Sequence, residues 1–183
     1  MKPAHYHWLA LALLALSGVG MTFSPGAPAG WAFHPAEAFG PAWWRWLSAH
    51  LVHITPQHLG SNLLALLLLT CWATQRRQTA TLLPVLLLSA LAVDAGLLLF
   101  GPPLAWYAGM SGALHGVFAW LAWPAPGADG RSLRWLPWLA GMAKLGFDLS
   151  GGLQWEGFQP VPPAHVYGFA CGTVLAALLH HRR

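Results

Sequence analysis

Charged side chains are scarce in this 183-residue chain: they make up 8% of it, against about a quarter of an ordinary soluble domain. The shortage excludes a water-soluble surface, because 56% of the residues are hydrophobic and many lie in runs near the roughly 20 residues that cross a bilayer. The formal net charge of +4 does not indicate a nucleic-acid partner, since membrane topology explains the basic residues better. We therefore expect an all-α polytopic protein embedded in membrane lipid.

Cysteine is also rare. Cys71 and Cys171 both lie in apolar runs without metal-type spacing, so no disulfide framework is indicated and we expect them to pack between helices. No HExxH pattern supports a hydrolytic zinc centre. A metal site formed by His50, His53 and His58, which lie within nine residues, remains an alternative.

Proline, glycine and charged residues bound six apolar runs, which predict six transmembrane helices. They lie at roughly 7–24, 58–74, 81–100, 111–123, 133–149 and 163–180. No linker or repeat divides the chain, so we expect one domain over 1–183. The first run could instead be a cleaved signal, since Lys2 precedes it and Ala27-Pro28-Ala29 resembles a cleavage site, but the proline favours a retained helix.

The basic residues fall in alternate loops of this six-helix arrangement. They are Lys2, Arg76 with Arg77, Arg131 with Arg134, and Arg182 with Arg183. The positive-inside rule then places both termini in the cytoplasm and segments 25–57, 101–110 and 150–162 on the outer side. Segment 25–57 is rich in proline, glycine and aromatic residues, which predicts a buried hairpin of short helices at the level of the lipid headgroups.

Several ionisable residues lie inside the apolar runs, where they normally face the bundle interior or a water-filled cavity. Lys144 and Asp148 are spaced (i, i+4) in the fifth run, and we expect them to pair with each other. Asp94 in the third run has no local partner, and we expect it to bond to a neighbouring helix. Neither aspartate can be placed beside His165, which begins the sixth run, from the sequence alone.

The segment from Gly109 to Gly116, with the sequence GMSGALHG, opens the short fourth helix and places Ser111 at its N-terminus. Amide N–H groups there lack intrahelical partners, and the helix dipole favours negative charge. Such a serine can be a nucleophile with oxyanion donors nearby, or an ordinary N-cap. A helix that begins below the membrane surface needs a water-accessible cavity above it.

A serine nucleophile needs a base, and His165 is our candidate. Gly168 and Gly172 give its helix a small-residue face, and Gly112 and Gly116 give the fourth helix another. Packing through two such faces would bring His165 to Ser111. His115, four residues after Ser111, is a rival base, although a packing or substrate-contact role suits its position on the same helix better.

His58 and Asn62 are spaced (i, i+4) at the outer end of the second helix and share one face. Neutral imidazole and amide donors on one face are suited to hold an oxyanion.

Together these residues resemble the rhomboid family of intramembrane serine proteases. The similarity runs over about 44–172 and keeps the family's order and approximate spacing. Its elements are Trp44-Arg45, His53, the pair His58 and Asn62, Gly-x-Ser-Gly at 109–112, and Ala-His-x-x-Gly-x-x-x-Gly at 164–172.

The resemblance implies a six-helix rhomboid-like bundle in which Ser111 attacks and His165 is general base and then acid, as a dyad without an acidic member. His58, Asn62 and the Ser111 amide would hold the oxyanion. Trp44 and Arg45 would lie in a membrane-embedded first loop that His53 supports. No metal or organic cofactor is implied.

The motif GMSGALHG, with His115, and the small size are most similar to the rhombosortase subgroup. That likeness implies a multi-pass protein of the bacterial inner membrane whose active site opens to the periplasm. Its substrates would be membrane-anchored proteins with C-terminal sorting segments of the GlyGly-CTERM type. The new C-terminus could pass to a lipid-derived amine instead of water. The alternative is a catalytically silent relative that only binds membrane helices.

Overall fold

A computed structural model describes residues 4–124, 132–152 and 160–180, and this part of the chain is helical. The α-helices are α1 Ala4–Thr22, α2 Arg45–Ser48, α3 Pro56–Gln75, α4 Thr79–Phe100, α5 Ser111–Ala122, α6 Leu136–Leu149 and α7 Pro162–His180. Two 3-10 helices cover Pro35–Glu37 and Ser132–Trp135. Four of the residues used to predict topology, Lys2, Arg131, Arg182 and Arg183, lie outside the described residues.

Each of the six predicted apolar runs overlaps one α-helix of the structure. The predicted run 133–149 begins with the 3-10 helix at Ser132–Trp135 and continues as α6, and α5 is short, as expected. Within the described residues, α4 and the Pro162–Leu179 part of α7 are long and apolar enough to cross a membrane. The all-helical fold class is therefore confirmed, and both of these helices are suited to lipid.

Leucines cover the outside of the bundle as well as its core. Leu64, Leu67 and Leu68 on α3 and Leu87 and Leu88 on α4 are all exposed. A helix that is apolar on every face is stable where lipid or protein surrounds it on all sides. The outward-facing leucines therefore agree with the lipid environment that the low content of charged residues indicates.

The segment between α1 and α3 folds as short helical pieces, as its composition predicts. The Trp46 indole Nε1 donates to the Ala38 carbonyl at 2.8 Å, and the Ser48 hydroxyl donates to the Trp31 carbonyl at 2.8 Å. Phe33 packs edge-on against Trp46 with ring centroids 5.0 Å apart. These contacts give the segment a core of its own.

Helices α5 and α7 pack with their backbones in contact. A Cβ atom added to Gly168 would overlap the Gly112 carbonyl oxygen, and one added to Gly172 would overlap the Gly116 carbonyl oxygen. The packing predicted from the two glycine faces is thus confirmed. It sets α7 directly beside the start of α5.

Candidate active site

Ser111 is the first residue of α5 and follows a turn that only glycine can make easily. Gly109 has φ of +121°, and its N–H donates to the Ala49 carbonyl at 2.8 Å. A Cβ at Gly109 would lie 2.5 Å from Cε1 of His58. The glycine therefore provides the backbone conformation and also lets the His58 ring approach the turn.

Tyr107 supports this turn, and sequence reasoning missed it. Its backbone pairs with Phe33 through N–O distances of 2.9 and 2.8 Å, and its buried hydroxyl donates to the Gly109 carbonyl at 3.0 Å. Burial raises the pKa of Tyr107, so the hydroxyl keeps the proton that it donates. No motif marks this residue, because its bridge partner is 74 positions away.

His165 lies in the first turn of α7 and is 8% exposed. Its Nε2 is 3.0 Å from Oγ of Ser111, across 54 residues of sequence. The close α5–α7 packing produces this contact. The hydroxyl and the imidazole lie at the distance that proton transfer from a serine to a histidine base requires.

Asp148 lies on the other side of the same imidazole. Its Oδ2 is 2.8 Å from Nδ1 of His165 and 2.5 Å from Nζ of Lys144. The predicted (i, i+4) pair of Lys144 and Asp148 is therefore present. The structure differs from the expectation of a histidine without an acidic partner, because the end of α6 comes beside the start of α7.

His115 stacks on His165, with ring centroids 4.2 Å apart and planes 15° from parallel. Its Nδ1 is 2.7 Å from the Ser111 carbonyl oxygen. Since a carbonyl only accepts, Nδ1 carries the proton. The ring thus contacts the backbone of Ser111 and the face of His165, which agrees with a packing role better than with the role of rival base.

A metal site does not fit this cluster well. Ligand atoms of His115, Asp148 and His165 lie within 4.8 Å of one another. However, Asp148 and Ser111 engage both ring nitrogens of His165, and the lone pairs of two stacked rings lie in separate, nearly parallel planes, so one ion cannot lie in both. The histidines at 50, 53 and 58 form no such ligand group within the described residues.

His58 and Asn62 lie beside Ser111 and are 6% and 5% exposed. Among the described residues, Nδ2 of Asn62 has no hydrogen-bond partner. Ser111 itself lines two cavities. Asn62 and His115 line the first of these with it, and His58 and His165 line the second.

The first cavity, of about 520 Å³, lies between α3, α5 and α6 and is largely apolar, with Trp72 and Phe118 in its wall. The second, of about 430 Å³, opens among Trp106, Tyr107 and the 160–163 prolines and valine. Ser111 can thus be approached from two directions. The second cavity agrees with the predicted opening above α5.

His53 is buried at the end of segment 25–57, just before α3. Its backbone N–H donates to Oγ1 of Thr22 at 3.1 Å, and its Nδ1 is 2.9 Å from the Leu51 carbonyl. Its ring lies edge-on to His58 at 4.8 Å. Burial is the main cause that lowers the pKa of His53 to about 3, and the nearby His58 ring is the next largest cause. The His53 ring is therefore neutral. These contacts suit its predicted role in loop structure.

Trp44 and Arg45 lie away from this group of contacts. Arg45 pairs with Glu37 at 2.7 Å and donates from Nε to the Gly30 carbonyl at 3.3 Å, while Trp44 contacts Trp43. They organise the 30–48 segment. Asp94 lies against His50, with its Oδ2 3.2 Å from Nε2 of the ring, and His50 comes from the segment after α2 rather than from a long helix.

The fold is a bundle of apolar helices, and the site places a serine at the N-terminus of one helix beside a buried histidine of another. Together they define the class of protein. The rhomboid domain model matches residues 40–182, which is most of the chain. The chain therefore belongs to the rhomboid family, whose members are generally intramembrane serine proteases, and it is an integral membrane protein. No curated protein matches it.

Proposed function

We propose that this protein is an intramembrane serine endopeptidase in which Ser111 is the nucleophile and His165 is its base. The observation that carries the proposal is the 3.0 Å distance between Oγ of Ser111 and Nε2 of His165. Family membership supports the same reaction class. A serine and a histidine so placed can form and resolve an acyl-enzyme.

The reaction proceeds in two halves. Oγ of Ser111 attacks the scissile carbonyl carbon while its proton moves to Nε2 of His165, and the carbonyl electron pair moves onto oxygen. Collapse of the tetrahedral intermediate breaks the C–N bond, and the leaving amine takes the proton from His165. A water or an amine then gives its proton to His165, attacks the acyl-serine, and releases Ser111 with its proton restored.

The negative oxygen needs donors, and three lie near Ser111. They are the amide N–H of Ser111 at the start of α5, the Asn62 amide and the His58 imidazole. The N–H groups of the first helical turn have no intrahelical partner, and the unpartnered Asn62 Nδ2 is a second preorganised donor.

Asn62→Ala should lower kcat by about 10²- to 10³-fold, because one oxyanion donor is lost, while KM changes little. Ser61→Ala is the matched control. Ser61 precedes Asn62 but lies on the exposed side of α3, and within the described residues its hydroxyl donates to the His58 carbonyl alone. Steady-state kinetics on a fluorogenic membrane substrate would measure both variants, and equal losses would remove Asn62 from the oxyanion site.

For topology, we propose six membrane crossings, a first loop embedded in the outer leaflet, and cytoplasmic termini in a bacterial inner membrane.

The relative direction of α3 and α5 supports this orientation. His58 lies near the start of α3 and contacts the turn before α5, while Trp72 contacts Phe118 further along both helices. Helices α3 and α5 thus run in the same direction. Arg76 and Arg77 follow the C-terminal end of α3, and Arg134 follows the C-terminal end of α5. The positive-inside rule puts that end in the cytoplasm and Ser111 toward the periplasm.

For substrates, we propose membrane-anchored proteins with C-terminal transmembrane segments of the GlyGly-CTERM sorting type. The apolar cavity beside Ser111, between α3, α5 and α6, has the chemistry to receive such a segment from lipid. The likeness of GMSGALHG to rhombosortases supports transfer of the new C-terminus to a lipid-derived amine.

Co-expression with a candidate substrate tests the proposal, with mass spectrometry of the new C-terminus. A free carboxylate would establish hydrolysis, and an amide-linked amine would establish transfer. A fluorophosphonate probe should label Ser111 of the purified protein. If it labels active relatives but leaves this protein untouched, the chain is a silent helix-binding member and the protease proposal is wrong.

A further inference from the structure

We infer that Asp148 is a positioning residue for His165 and that Lys144 holds Asp148 in place, so that the reacting pair has an acidic third member. The inference rests on the proposed function of Ser111 and His165. It goes beyond the dyad that family resemblance implies, and it rests on atoms of α6 that contact α7.

The geometry fixes the tautomer of His165. The 2.8 Å contact from Nδ1 goes to a carboxylate oxygen, which only accepts, so Nδ1 carries the proton. Nε2 is then the unprotonated nitrogen, and it faces Oγ of Ser111. This is the tautomer that a general base requires, and Asp148 selects it.

Lys144 and His165 contact the same oxygen of Asp148 from two directions. The Asp148 side chain is 13% exposed and that of Lys144 is 48% exposed, so the carboxylate is the more buried member of the pair. An ammonium beside a mostly buried carboxylate keeps that carboxylate ionised. Lys144 therefore both orients Asp148 and offsets part of the negative charge that His165 experiences.

The C-terminal end of α6 has a defined backbone structure next to Asp148. Asp148 lies in its last turn, where Gly152 N–H donates to the Phe147 carbonyl at 3.0 Å and Gly151 N–H to the Asp148 carbonyl at 3.2 Å. Both glycines have positive φ, of +113° at Gly151 and +48° at Gly152. The chain thus leaves the helical path at Gly151 and Gly152, shortly after Asp148, whose carboxylate contacts His165 at the start of α7.

Other titratable groups face His165 from the neighbouring helices. His115 of α5 stacks on it, and His58 of α3 is near enough to interact electrostatically. Neither changes in the variants below. A shift in the pH dependence between those variants therefore reports on Asp148 and Lys144.

The test compares Asp148→Asn and Lys144→Met by kcat and by the acidic limb of the kcat/KM profile. Activity requires neutral His165, so kcat/KM rises with pH as His165 loses its proton. Removing the Asp148 charge favours the neutral ring and should move the midpoint to lower pH, with kcat reduced about 10- to 10³-fold because an amide can also hold the wrong tautomer. Removing the Lys144 charge should move the midpoint to higher pH.

Asp148→Glu should recover part of the lost kcat. Ser150→Ala is the control for the α6 terminus, since its exposed hydroxyl donates to the Phe147 carbonyl and to no other group in the described part of the chain. Shifts in the same direction for Asp148→Asn and Lys144→Met, or an Asp148→Asn enzyme within twofold of the parent, would overturn the inference. If Asp148→Asn does not fold, Asp148→Glu and Lys144→Met carry the test. Activity retained in Ser111→Ala would instead reject the proposed function itself.

Discussion

Ser111→Ala should abolish cleavage, with kcat at least about 10³-fold below the parent, because no other hydroxyl is in contact with His165 in the described part of the chain. His165→Ala should cause a loss of similar size. The double variant should be no slower than either single variant, since the two groups act as one unit. Substrate cleavage in membranes, quantified by immunoblot and mass spectrometry, measures all three.

His34→Ala is the matched histidine control. His34 lies in segment 25–57, and its Nε2 is 2.9 Å from the Ala29 carbonyl, its one hydrogen-bond contact among the described residues, so its loss should leave the rate unchanged. The removed side chains at 111 and 165 are small parts of a large interface, and both variants should keep the unfolding midpoint of the parent within a few degrees. Cleavage that survives in Ser111→Ala would reject the serine mechanism, whatever the effect of His165→Ala.

Gly168→Ala should destabilise the bundle strongly and abolish activity with it. The added Cβ would overlap the Gly112 carbonyl oxygen, which is backbone and cannot rotate away. Helices α5 and α7 would have to separate, which costs about 1–3 kcal/mol or more. At about 2–4 °C per kcal/mol for a chain of this size, thermal unfolding in detergent should show a clear decrease in Tm.

Gly20→Ala is the control for that substitution. Gly20 lies in α1 with no atom within 4 Å of an added Cβ, so alanine should be neutral or stabilising by up to about 1 kcal/mol. The same chemical change thus has opposite expected effects at two helical glycines. Equal Tm values for the two variants would mean that the α5–α7 contact is looser than described.

The sequence was most informative where the evidence is local. Apolar runs bounded by proline and glycine predict where α3, α4 and α7 lie to within a few residues, because helix formation depends on neighbouring residues. The two glycine faces also predicted a contact between distant helices. Glycine at four-residue spacing has few functions in an apolar helix other than close backbone approach, so this non-local feature left a local pattern.

The surroundings of His165 could not be predicted in the same way. The Lys144–Asp148 pair follows from (i, i+4) spacing, but its contact with His165 depends on how the chain turns at Gly151 and Gly152. The bridge between Tyr107 and Phe33 is likewise a product of tertiary packing. Both features join segments that are distant in the sequence, and no local pattern in either segment predicts the contact.

The 54-residue separation between Ser111 and His165 has a consequence for biosynthesis. A chain emerging from the ribosome contains the Ser111 hydroxyl before the His165 imidazole exists, so Ser111 stays an unactivated alcohol while the next 54 residues are made. Competence begins only when α7 docks on α5 through the glycine faces, and an incorrectly assembled bundle stays inert. Under the proposed mechanism, a bundle that has not finished assembling therefore cannot cleave other membrane proteins.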